Sequence, residues 1–408
     1  MRQEILNRFL RYVQIDTQSD ENSKTFPSTQ KQFDLANLLV KELNEIGLTD
    51  VEVDKYGYVT ATLPSNIEKD IPVIGFLAHM DTAPDMSGTK VRPQIFENYN
   101  GEDITLNKEL NVHLLLKDFP ELKDYKGQTL ITTSGNTLLG ADDKAGIAEI
   151  ITAMEYLIKN PEIKHGTIKI AFTPDEEVGR GVDHFDLTKF DADYAYTVDG
   201  GPIGELEYEN FNAAGIAIQI QGRNIHPGSA KGRMINAILV AAELNDMLPI
   251  EQRPELTENY EGFFHIIRFM GTVETAEIHY IIRDHDREKF EQKKDLIKNV
   301  VKLINQKYNQ EVAKYKLEDQ YYNMREKIEP VYHIVEQAKQ AMIELGITPV
   351  IKPIRGGTDG ARLSYMDLPC PNIFTGGHNY HGKHEFIPLE SMEKAIQVIL
   401  KIIEKSTT

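Results

Sequence analysis

Residues 172 to 181 read FTPDEEVGRG, so two glutamates, Glu176 and Glu177, stand side by side just after an apolar run that reads as a buried strand. Each charge raises the pKa of the other, and burial penalises both. A divalent cation removes that conflict, because it can hold both carboxylates ionised. One glutamate can then ligate metal while its neighbour takes a proton from water.

In open α/β sheets ligands bind beyond the carboxyl ends of the strands. Here VIGFLA is followed by His79-Met80-Asp81, TLLG by ADDKAG with Asp142, DYAYTV by Asp199 and NIFTGG by His381. Loops are polar, so one such residue carries little weight. With the Glu176–Glu177 pair, five strand ends carry imidazole or carboxylate, and together they point to one site. Two imidazoles and several carboxylates without thiolate suit Zn²⁺, Co²⁺ or Mn²⁺ rather than Ca²⁺ or an iron–sulfur cluster. More carboxylates than one ion needs imply two ions about 3.5 to 4 Å apart, bridged by one of them.

These residues must be positioned by an α/β scaffold. Residues 30–47 space their apolar side chains at i, i+3 and i+4 and stop at Gly47, which predicts an amphipathic helix. YGYVTATL and PVIGFLA predict strands, 145–160 a helix, and TIKIAF and DYAYTV further strands, an alternation that implies a mostly parallel central sheet flanked by helices. The pattern then changes to strand AAGIAIQIQG, helix 231–248, strands FFHIIRFMG and VETAEIHYIIR, helix 286–306 and strand AKYKLED. That βαββαβ order is a two-layer α+β domain. A helix at 330–345, the strand PNIFTGG and a final helix from Pro388 return to α/β character. We therefore expect a catalytic domain formed by 1–208 and 321–408, with 209–320 inserted as a lid. Residues 16–30, DTQSDENSKTFPSTQ, are the most loop-like segment, a mobile rim or an inert connection.

Composition excludes several partners. Over 408 residues, 63 acidic side chains against 45 basic ones leave a net charge of −18, which repels nucleic acid and anionic membrane surfaces. The opening MRQEILNRFLRYVQID carries charges through its apolar residues, and no uncharged apolar run is long enough to span a bilayer. A lone cysteine, Cys370, rules out an intrachain disulfide and suits a reducing cytoplasm.

The stretches LAHMDTAPDMSG, LLGADDKAGIAEI, FTPDEEVGRG, TVDGG, RNIHPGSAKGRMINA, IRGGTDGARLS and YHGKHEF resemble, in order and nearly end to end, the M20 family of co-catalytic zinc peptidases. The resemblance implies a metal-dependent aminopeptidase acting on tripeptides, with another M20-type amidohydrolase (dipeptidase, N-acyl amino acid deacylase or carboxypeptidase) as the alternative. It implies two divalent ions, Zn²⁺ first and Co²⁺ or Mn²⁺ as substitutes. His79 and Asp199 would serve one ion, Glu177 and His381 the other, and Asp142 both. Asp81 would orient the His79 ring, and Glu176 would be the general base. Asp143 is read as a structural acid at a helix start, and His378 and His384 as surface or supporting residues.

For the substrate, the resemblance implies that His226 of the inserted domain helps stabilise an oxyanion and that Arg355 of the catalytic domain grips the terminal carboxylate. With these two on different domains, closure would assemble the site. Arg283 keeps two readings, a second carboxylate anchor or a surface ion pair with Asp284 or Asp286. Homodimerisation through the inserted domain is common in the resembling family.

Overall fold

The computed structural model describes residues 1–407 and divides the chain into two compact units, Met1–Tyr208 with Glu326–Lys352 and Thr358–Thr408, and Glu209–Arg325 with Pro353–Gly357.

The first unit is built on an eight-stranded sheet. Ile74–His79 lies at its centre and is buried at every position, as an apolar strand covered on both faces must be. It runs parallel to Ile168–Thr173 on one side and to Tyr194–Gly200 on the other, and Asn372–Phe374 extends the parallel set. The pairs Thr49–Val53 with Val59–Leu63, and Glu205–Glu207 with Val350–Ile351, flank this set, joined to it through antiparallel contacts. Four parallel strands thus point their carboxyl ends the same way, and those ends deliver His79, Glu176, Asp199 and His381.

Asp142 arrives differently from the sequence expectation. TLLG is no strand; Asp142 stands in the first turn of the helix Ala141–Lys159 with extended backbone, φ −83° and ψ 105°. The strand before it, Leu130–Thr132, belongs instead to a three-stranded sheet with Gln94–Phe96 and Phe386–Pro388. Strands this short carry no periodicity that sequence reading could detect.

The helix Ala141–Lys159 packs between the central sheet and the helices Arg2–Val13 and Leu389–Lys405. Its closeness to the sheet depends on Gly146, where a Cβ would lie 1.9 Å from the Val198 carbonyl oxygen and 2.6 Å from Asp143 Oδ1. A buried ionic cluster adds register, with Arg8 donating to Glu155 (2.6 Å) and to Thr152 (3.0 Å), and Tyr12 and Arg8 both donating to Glu42. No helix among the described residues is long and apolar enough to cross a membrane.

The second unit is a four-stranded antiparallel sheet ordered Phe263–Gly271, Thr275–Asp284, Asn212–Gln221, Ala313–Tyr321, with helices Ala237–Asp246 and Arg287–Lys307 packed on it. Alternating residues Ile216, Ile218 and Ile220 meet Ile278, Tyr280 and Ile282 in its core.

Arg355 belongs to this second unit, against the expectation that placed it in the first. Residues 353–357 are drawn there by local bonding: Ile354 N donates to Glu209 O (2.8 Å), Ile354 bridges Asn210, and the Arg355 guanidinium donates to the carbonyls of Asn259 (2.6 Å) and Glu261 (3.2 Å).

Replacing Gly146 by Ala should force the helix off the sheet. We expect a loss of about 1–3 kcal/mol in stability from overpacking, read as a lowered urea midpoint at unchanged slope.

Candidate metal centre

His79 ends the central strand with its ring buried. Nδ1 lies 3.1 Å from the Asp81 carbonyl oxygen, so an Nδ1–H donates there and the Nε2 lone pair is left pointing into the site. Nε2 sits 2.9 Å from Asp142 Oδ1 and 3.5 Å from Asp199 Oδ1. A bare lone pair aimed at two anionic oxygens is repulsive, so either a proton on Nε2 or a metal cation must lie between them.

A similar arrangement recurs on the other side of Asp142. His381 Nε2 lies 3.1 Å from Asp142 Oδ2 and 3.0 Å from Glu177 Oε2. Asp142 therefore offers one oxygen to each imidazole. His79, Asp142 and Glu177 form one group whose ligand atoms all lie within 4.8 Å of one another, and His79, Asp143 and Asp199 form another. The observed spacings bracket about 3.3 Å, the edge of a tetrahedron with metal–ligand bonds near 2.0–2.1 Å. Glu177 Oε1 is buried with no hydrogen-bond partner, a cost a metal contact would remove. Donor set, spacing and orphaned oxygen all fit a divalent ion.

The charge balance agrees. Hydrogen bonds to Asp142 and Glu177 push the His381 imidazole up to about 11, a proton there doing the work of a cation. Burial pushes Glu177 up to about 8 and Asp199 up to about 6. Burial opposes the charge on Asp142, yet its bonds with His381 and His79 hold its carboxyl below the usual range. Glu176 is raised well above its ordinary range by burial, with Asp199, Asp359 and Glu177 adding to the effect.

The turn carrying Glu176 and Glu177 is held from both sides. Asp81, fully buried, accepts from Glu176 N (3.0 Å) on one carboxylate oxygen and from Glu177 N (3.2 Å) on the other. It also lies 3.4 Å from His79 Nδ1, so it fixes the turn as well as the ring. Asp143 accepts from His79 N (3.0 Å) and from Gly146 N (3.3 Å), tying the central strand to the helix start.

Several supports escaped the sequence reading. Asp175, at φ +58°, turns the chain into the glutamate pair, and its carboxylate accepts from Ser28 N (2.6 Å), Ser28 Oγ (2.5 Å) and Gln32 Nε2 (2.7 Å). The polar segment 16–30 is thus a strap against the site, also fixed by Ser19 N donating to Thr82 O (3.1 Å). Buried Asp359 accepts from Thr173 Oγ1 (2.7 Å) and is pushed up to about 7 by burial. It explains Gly181, whose Cβ would meet Asp359 Oδ1 at 2.1 Å. His378, read from sequence as a surface or supporting residue, is buried, stacked on Phe386 and 2.7 Å from Tyr125 Oη.

The substrate residues expected from the resemblance all lie in the second unit. His226 is exposed, its Nδ1 accepting from Gly228 N at 3.2 Å. Arg355 is taken up by loop carbonyls and lies over the rings of Phe211 and Phe263. Arg283 makes no ion pair with Asp284 or Asp286 among the described residues. It donates to the carbonyls of Ala214 (3.2 Å) and Ile282 (3.0 Å) and lies over Tyr321, while Asp284 pairs with Lys293.

Residues 135–405 match the model of peptidase family M20/M25/M40. Over 98% of both chains, the sequence is 62% identical to a peptidase T of Clostridium novyi and 64% identical to one of Alkaliphilus oremlandii. The chain belongs to the M20/M25/M40 peptidase family. The fold agrees: an aminopeptidase PepT from Bacillus cereus superposes with a TM-score of 0.79 at 24% identity, covering 100% of this chain and 99% of that one. A Bacillus subtilis dinuclear metal-binding M20 peptidase gives 0.68 at 16%, covering 99% and 98%. As an M20 peptidase the chain is a hydrolase, and the cluster around Asp142 is its candidate site for a divalent metal.

Asp81→Asn would put an amide NH₂ against a backbone donor and release the glutamate turn. We expect metal affinity to fall about 10–100-fold, measured by competition with a chromogenic chelator, with the far-UV circular dichroism unchanged.

Proposed function

We propose that the chain is a cytoplasmic, metal-dependent aminopeptidase that removes the N-terminal residue from tripeptides. In this reading two divalent ions, most simply Zn²⁺ with Co²⁺ or Mn²⁺ as substitutes, would be held by His79 and Asp199 on one side and by Glu177 and His381 on the other, and Asp142 would serve both. The observation that carries the reading is Asp142 itself, a partly buried carboxylate whose two oxygens each face a different imidazole at 2.9 and 3.1 Å. A single closed structural site would not need that geometry, and no thiolate is at hand to build one.

When bound, the ions would lower the pKa of a water and polarise a peptide carbonyl. The protein must then move protons. Glu176 has its backbone fixed by Asp81, while its carboxylate makes no hydrogen bond among the described residues, leaving it free to accept a proton from water. A carboxylate that has taken this proton is also the group placed to return it to the departing amine. Preference for a free N-terminus and three residues is supported by relatives described as an aminopeptidase and a tripeptidase. In the second unit His226 offers an exposed imidazole for the peptide, whereas Arg355 and Arg283 would first have to exchange their present carbonyl partners.

The proposal includes a homodimer through the second unit. Its edge strand Phe263–Gly271 leaves Ile267 55% and Met270 50% exposed, apolar groups on an unpaired edge that ordinarily invites another chain. Met270→Lys should shift sedimentation from dimer to monomer; a wild type that already sediments as a monomer removes this part.

The activity is tested with a tripeptide, its dipeptide and tetrapeptide, and the N-acetylated tripeptide, products being read by mass spectrometry. Release of only the first residue from the free tripeptide is expected; cleavage of the acylated peptide would reassign the substrate. Chelation should abolish turnover and added metal restore it. Glu176→Gln should lower kcat about 10²–10⁴-fold while the bound-metal content stays at the wild-type level.

A further inference from the structure

The loop that carries His381 and the helix start that carries Asp142 are more than 200 residues apart in sequence, and both must reach the same point to within tenths of an ångström. One buried side chain joins them. Glu385 is 1% exposed, and its carboxylate accepts four successive backbone N–H groups. Oε2 takes Leu139 N (2.6 Å) and Gly140 N (3.0 Å); Oε1 takes Ala141 N (2.7 Å) and Asp142 N (3.2 Å).

Glu385 sits at the base of a closed loop. His378 N donates to Phe386 O (2.8 Å) and Phe386 N to His378 O (3.1 Å), so residues 378–386 form a loop with His381 on it at φ +62°. The Glu385 backbone is anchored as well, its carbonyl accepting from Thr133 N (3.4 Å) and its N–H donating to Gly382 O (3.3 Å). The base of the His381 loop is thereby fastened to the segment whose last residue, Asp142, faces the His381 ring.

We propose that Glu385 is a positioning residue that preorganises the shared Asp142 carboxylate and the His381 imidazole before any metal arrives. The inference rests on the metal-centre reading above. A carboxylate is needed because the four donors fill two acceptor oxygens. An amide supplies one acceptor oxygen and turns an NH₂ toward the other pair of N–H groups, so glutamine has nearly the right shape and the wrong polarity. Four donors at a helix start offset part of the desolvation of a buried anion and of the proximity of Asp142, although burial still raises the Glu385 carboxyl to about 7.

The experiment compares wild type, Glu385→Gln and a control, Glu390→Gln, whose carboxylate accepts from Thr129 N and pairs with Arg2 away from the site. Zn²⁺ affinity is measured by chelator competition, and near-UV circular dichroism reports folding. The expected result is a metal affinity about 10–100-fold weaker for Glu385→Gln, with Glu390→Gln at the wild-type value. A folded Glu385→Gln that binds Zn²⁺ as tightly as wild type overturns the proposal. A wild type that binds no Zn²⁺ overturns the metal-centre reading instead.

A second measurement needs no variant. In hydrogen–deuterium exchange of metal-free wild type, the amides of residues 139–142 should be as protected as in the Zn²⁺-loaded protein. Protection that develops only on adding Zn²⁺ would mean that the metal, not Glu385, orders this segment, and would overturn the proposal even if Glu385→Gln failed to fold.

Discussion

Too many negative charges occupy too small a space at one end of the central sheet. Asp81, Asp142, Asp143, Glu176, Glu177, Asp199 and Asp359 converge there on two imidazoles. Without a cation the conflict is resolved by protons: the imidazoles bind theirs tightly, and most of the carboxyls are pushed upward. A dication resolves the same conflict with ionised carboxylates and a neutral imidazole lone pair. Much of the local architecture is an answer to this constraint.

The carboxylates fall into two kinds by what they touch. Asp142, Glu177 and Asp199 present oxygens to the imidazoles. Asp81, Asp143, Asp175 and Glu385 face the backbone, accepting main-chain N–H groups of the glutamate turn, His79, Ser28 and the Asp142 segment. A buried carboxylate is expensive, and the N–H donors offset only part of that cost, since burial still raises Asp143, Asp175 and Glu385 above the ordinary carboxylate range. Acidic residues thus hold the loops that present other acidic residues, which is why DD, DEE and HE occur where isolated acids would suffice for ligation.

The two units differ in how they were built to be rigid. The first has parallel strands buried on both faces, a scaffold that fixes four strand ends relative to one another. The second relies on alternating apolar residues on one face of an antiparallel sheet, closed by two helices. Its loop carbonyls occupy Arg355 and its strand carbonyls Arg283, and the rings beneath these guanidinium groups, Phe211, Phe263 and Tyr321, belong to the same unit.

By itself the sequence determined the scaffold and pointed to the side chains that could do chemistry. The apolar periods of residues 74–79, 168–173 and 194–198 identify central strands because burial on both faces demands unbroken apolar runs. The residues after them are legible because chemistry needs particular side-chain types there. The inserted unit was legible in its βαββαβ order, since two-period and 3.6-period patterns differ over ten residues. Tertiary structure alone decided the rest. That Asp142 begins a helix, that Ser28 and Gln32 hold Asp175, that Arg355 joins the second unit and that Glu385 fastens the Asp142 segment all depend on contacts between residues far apart in sequence. Such contacts use single polar atoms at single positions, leave no periodic trace, and become defined only once the sheet has brought the loops within hydrogen-bonding distance.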